Sequence, residues 1–76
     1  MKKIMLIEDE ILIQKSLSKT LSGKGAVVTT YSKGREAIES ILRDDFDRII
    51  CDLMLQDITG FDVIEESKKK YSLENI

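Results

Sequence analysis

Apolar residues in this chain switch between short runs and four-residue stripes, and the switches mark six elements. Residues 4–7, Ile4-Met5-Leu6-Ile7, form an unbroken apolar run, the pattern of a strand covered on both faces. After Glu8-Asp9-Glu10, Ile13, Leu17 and Leu21 recur every fourth residue beside Ile11 and Leu12. That stripe predicts an amphipathic helix of about four turns. Gly23 and Gly25 end it, because glycine tolerates the left-handed backbone at which helices commonly stop. The β-branched stretch 26–31 predicts a second strand. Ser32 is expected to cap the next helix, whose apolar face is Ala37, Ile38, Ile41 and Leu42 and whose end lies near Arg43-Asp44-Asp45. Residues 48–52 read as a third strand and 53–59 as a loop. Thr59, three residues before Asp62, has the spacing of a capping box opening a third helix through Phe61 and Ile64. Glu65 with Lys69 and Glu66 with Lys70 stand four apart on that helix. Residues 68–70, all lysine, are expected to be its solvated last turn, where positive charge complements the helix dipole.

Strand and helix alternate three times. Right-handed crossovers then give a parallel α/β sheet, and the flavodoxin-like doubly wound arrangement gives it the strand order 2-1-3. In such sheets ligands collect at the carboxyl ends of the strands. Strand one ends at Glu8 and Asp9, strand three at Asp52, and the order 2-1-3 makes them neighbours. Carboxylates so placed repel unless a proton or a metal sits among them, and a hard divalent cation with oxygen ligands is the natural occupant. Glu8, Asp9 and Glu10 could otherwise favour the first helix's N-terminus, and Asp52 could simply end a strand.

Composition narrows the chemistry. At 76 residues the chain is one small domain that buries about 60% of its unfolded surface, so its stability is expected to be marginal. A net charge of −2 argues against direct contact with nucleic acid by this segment. Four apolar residues between Lys3 and Glu8 are too few for a signal-peptide core or a membrane span, and a cytoplasmic protein is expected. The chain has one cysteine and no histidine, which excludes an internal disulfide, a Cys/His zinc site and a His-based triad. Cys51 lies in an apolar run without a cationic neighbour and reads as a buried structural thiol. Gly23-Lys24-Gly25 lacks the spacing of a phosphate-cradling loop.

Ile7-Glu8-Asp9-Glu10 after strand one, with Cys51-Asp52-Leu53-Met54-Leu55 and Gly60-Phe61 after strand three, resembles the receiver domain of bacterial two-component response regulators. The resemblance follows the order of elements through all 76 residues. It implies that Asp52 is a phosphoacceptor, that Glu8 and Asp9 are the acidic pair binding Mg²⁺ or Mn²⁺ together with Asp52, and that the Met54 backbone carbonyl is a further metal ligand. It also implies a histidine kinase or phosphotransfer protein as partner, and a role as acceptor, not enzyme.

Two departures accompany it. Receivers commonly carry proline where this chain has Gln56, so loop 53–59 is expected to be more mobile than in its relatives. Receivers also have five βα units, whereas three are seen here. Residues 1–76 are therefore expected to be the N-terminal, truncated (βα)3 portion of a receiver, unable to switch. Neither Thr59 nor the lysines 68–70 stand in for the hydroxyl and lysine that follow strands four and five. An uncovered third strand is expected to drive self-association by edge pairing or by exchange of the last helix. Two rival readings are a non-phosphorylated, receiver-like interaction or dimerisation module and a Mg²⁺-dependent aspartyl phosphohydrolase. The second requires an Asp-x-Asp motif after strand one, where this chain has Glu8-Asp9-Glu10.

Overall fold

The structure, a computed structural model, describes residues 1–52, 54, 55, 57 and 60–70. Its elements are β1 (Lys3–Ile7), α1 (Ile11–Gly23), β2 (Val27–Tyr31), α2 (Gly34–Arg43), β3 (Arg48–Cys51) and α3 (Gly60–Lys70). The strands are parallel and lie in the order β2-β1-β3. Met5 pairs with Thr29 and Ile49, and Ile7 with Tyr31 and Cys51, so the three strands end level with one another. Glu8 and Asp52 leave that shared end side by side.

β1 is apolar on both pleats because both are covered. Met5 and Ile7 face α2 and α3, where Ala37, Ile41 and Val63 complete a fully buried cluster. Ile4 and Leu6 point to the opposite face and are also buried. Only α1 lies there among the described residues. The apolar stripe of α1 predicted from its four-residue period exists, but no residue of that helix is buried. Ile13 and Leu17 remain 43% and 41% exposed, and Ile50 on the adjacent strand 38%.

Gly23 is the last helical residue of α1, and Gly25, at φ 91°, takes the left-handed turn into β2. Local expectations need correction at several points. Ser32 does not cap α2: Lys33 is the N-cap residue and offers no side-chain bond. Leu42, expected in the apolar face of α2, is exposed, and Ser40 is buried in its stead. In α3, Phe61 is likewise exposed, and Val63 is the residue that enters the core. Lys69 pairs with Glu66, three residues back, at 2.8 Å. The last turn is exposed as expected, but Lys70 folds its amine back onto α2: its Nζ donates to the carbonyls of Ile41 at 2.6 Å and Asp44 at 2.5 Å, at the C-terminus of that helix. Packing of α3 against α2 puts those helix-end carbonyls within reach of a four-carbon stem. Thr59, the expected cap of α3, and Gln56 lie outside the described residues.

Candidate functional site

Three chain segments meet where the strands end. Glu8 follows β1 directly, and its N–H donates to the Tyr31 carbonyl of β2 at 3.0 Å. Asp52 follows β3, and its N–H donates to the Ile7 carbonyl at 2.9 Å. The parallel ladder thus continues one residue beyond each strand and locks both acidic residues to β1 and its neighbours. Asp9 completes the group. One carboxylate oxygen from each of Glu8, Asp9 and Asp52 falls within 4.8 Å of the others.

The carboxylates are not equivalent. Glu8 is buried, at 8% exposure, whereas Asp9 and Asp52 are half-buried. Its pKa is raised, first by desolvation and then by the hydrogen bond and negative charge of Asp52; the Asp9 N–H, which donates to Glu8 Oε2 at 3.1 Å, pulls the other way. A raised carboxyl pKa among like charges means the site favours a positive charge. The donors are all hard oxygens converging from two strand ends, a set that suits Mg²⁺ or Mn²⁺ and no soft metal. Asp52 Oδ1 accepts the Met54 N–H at 3.1 Å, which ties the carboxylate to the backbone two residues on. Cys51 stays out of the chemistry. Burial, followed by the charges of Asp52 and Glu8, pushes its thiol up to about 11, leaving it protonated at neutral pH.

The fold therefore unites Glu8, Asp9 and Asp52, with Met54 held beside Asp52. Sequence reasoning passed over two residues that build their surroundings. Gln14, on the first turn of α1, donates from Nε2 to the carbonyls of Glu8 at 2.9 Å and Tyr31 at 3.1 Å, and lies 3.4 Å from Ser32 Oγ. Its signal was a lone amide directly after Ile11-Leu12-Ile13, four residues past Glu10. The second is Asp57, whose carboxylate accepts the N–H groups of Gly34 at 2.9 Å and Arg35 at 3.1 Å. These contacts span 23 and 22 residues, so no local sequence signal marks them.

Comparison with known proteins gives the family to which the fold belongs. The family model described as the response regulator receiver domain matches residues 4–76, and the chain belongs to that family. The transcriptional regulatory protein QseB of Escherichia coli O157:H7 is 32% identical over 74 residues, covering 97% of this chain and 34% of QseB. Response regulator TrrA of Thermotoga maritima, solved in complex with Mg(2+)-BeF, superposes with a TM-score of 0.88 at 31% identity, covering 92% of this chain and 61% of that one. TrrA solved with histidine kinase ThkA gives a TM-score of 0.88 at 30% identity, covering 96% of this chain and 63% of that one. The chain spans about a third of the length of the curated relatives it matches. No helix among the described residues is long and apolar enough to cross a membrane.

Proposed function

We propose that this chain is the phosphoacceptor part of a cytoplasmic two-component receiver, and that Asp52 takes the phosphoryl group from a histidine kinase or a phosphotransfer protein. The observation that carries the reading is the convergence of the Glu8, Asp9 and Asp52 carboxylates within 4.8 Å at two adjacent strand ends. Glu8, Asp9, Asp52 and the Met54 carbonyl would hold Mg²⁺, or Mn²⁺ in its place. When bound, that ion supplies neutralising charge for an anion approaching other anions.

This chain's own groups do the rest. A carboxylate oxygen of Asp52 attacks the phosphorus of a phosphohistidine; the new P–O bond forms as the P–N bond breaks, and the imidazole nitrogen leaves with the electron pair and takes up a proton. The Met54 N–H orients the Asp52 carboxylate for that approach. Gln14 fixes the backbone of Glu8, so the acidic pair is placed before any ligand arrives. A phosphohydrolase of the rival kind would carry Asp-x-Asp after its first strand, where this chain has Glu8-Asp9-Glu10. TrrA, a relative, was captured with a histidine kinase, and that supports a partner of this kind.

Incubation of the full-length protein with a phosphorylated kinase or a small phosphodonor tests the reading. Mass spectrometry should map the acyl phosphate to Asp52, and Asp52→Ala should abolish it while leaving the fold intact; phosphate on another residue would overturn the assignment. Calorimetric titration with Mg²⁺ should give a binding isotherm that Asp9→Ala combined with Asp52→Ala removes.

A further inference from the structure

We propose that Asp57 is a positioning residue for the acidic site, tying the segment that follows Asp52 to the N-terminus of α2 and thereby fixing the backbone at Met54. The inference rests on the reading of Glu8, Asp9 and Asp52 as a metal site, and it adds a residue that touches none of them.

α2 begins without a cap of its own. Lys33 stands at its N-cap with an extended backbone, φ −121° and ψ 137°, and no side-chain bond to the first turn. The neighbouring hydroxyl, Ser32 Oγ, lies against Gln14 instead. The open N–H groups of Gly34 and Arg35 are taken by the two oxygens of Asp57, one each, at 2.9 and 3.1 Å. This is a fork of charge-assisted bonds at the positive end of a helix, a favourable place for a carboxylate. α2 packs its Ala37 and Ile41 into the core, so the anchor point does not drift.

The other end of the segment is tied as well. Asp52 Oδ1 holds the Met54 N–H, and Met54 is three residues from Asp57. Successive Cα atoms are 3.8 Å apart, so Met54 stays within about 11 Å of a fixed point. The chain is thus held on either side of Met54, at Asp52 by the Met54 N–H and at Asp57 by the first turn of α2. Releasing Asp57 frees the peptide that carries the Met54 carbonyl, and the metal site loses a preplaced ligand.

The test separates tethering from capping. In the full-length protein, Asp57→Ala removes both, whereas Asp57→Ala with Lys33→Asp returns a cap to α2 from its own N-cap position while leaving the loop untied. Mn²⁺ affinity by electron paramagnetic resonance should weaken about 10-fold in Asp57→Ala, the low end of what loss of an outer-shell partner costs. The double variant should recover the melting temperature but not the affinity. Asp57→Asn, which keeps an acceptor oxygen, should fall between wild type and Asp57→Ala. In metal-free protein, exchange of the Met54 amide should quicken about 10-fold in Asp57→Ala and stay fast in the double variant. If the double variant restores both affinity and Met54 protection, Asp57 is only a helix cap and the proposal falls. If wild type binds no Mn²⁺, the metal-site reading fails, and metal-free Met54 exchange decides the tether by itself: unchanged exchange in Asp57→Ala overturns it. Should Asp57→Ala not fold, the double variant and Asp57→Asn carry the same comparison.

Discussion

β1 is apolar on both faces of the sheet, yet the helices treat the two faces differently. On the α2/α3 face, Met5, Ile7, Ala37, Ile41 and Val63 are sealed from water. On the α1 face, Ile4 and Leu6 are covered, yet Ile13, Leu17 and Ile50 each keep roughly two-fifths of their surface in solvent. Two helices interlock over the first face, and one lies across the second. Hydrophobic periodicity therefore reports which side of an element seeks cover, and the number of elements available decides how much cover it receives.

The largest predicted effect breaks that contrast directly. Ile41→Ala should destabilise the chain by about 2–5 kcal/mol, as expected for a truncation in a sealed core, whereas Leu17→Ala should cost below about 1.5 kcal/mol because much of its side chain is already wet. Urea unfolding of the two variants checks the gap. A second effect concerns the open face. Ile50 borders a hollow with Ile4, Leu21 and Ala26, and β3 is an edge of the sheet among the described residues. The 76-residue chain should show a scattered-light mass that rises with concentration, and Ile50→Lys should suppress the rise. A wild-type mass independent of concentration would mean this face is adequately covered by α1 alone.

The next effect arises at the strand ends. Because the folded-state pKa of Glu8 is raised, chiefly by burial, the folded protein retains a proton that the unfolded chain releases above the ordinary range of about 4.3. Metal-free stability should thus fall as pH rises from there through the raised value, and the full cost should stand at neutral pH. Glu8→Gln should abolish that decline, read from urea midpoints at pH 4 and pH 7 in the presence of a chelator. The smallest effect returns to the sealed face. Ser40 Oγ is buried without a hydrogen-bond partner among the described residues, so Ser40→Ala should be neutral or stabilise by up to about 1 kcal/mol in the same unfolding assay.

Much of this was legible beforehand for an identifiable reason. Strand runs, helix stripes and glycine stops are local, and the right-handed crossover converts their order into neighbours, so the meeting of Glu8, Asp9 and Asp52 followed from sequence. Contacts that depend on tertiary placement did not. Ser32 had the chemistry of a cap, but Asp57 occupies the N–H groups it would have bonded. The lysine at position 70 sits where a helix end is usually solvated, but α3 lies against α2 and draws it to the carbonyls of Ile41 and Asp44. Nor could the α1 stripe disclose that its partner surface is shallow.

Those two misplaced charges say something about the order in which the chain assembles. α2 is only ten residues long, below the length at which an isolated helix persists in water, and both of its ends are stapled by groups that come later in the chain, Asp57 at the start and Lys70 at the finish. During folding α2 would fray until Asp57 and α3 dock, so β1, β2 and α1 can consolidate first while α2 waits for α3. The site is next to that late step in the chain, since Asp57, which closes the start of α2, follows Asp52 by only five residues.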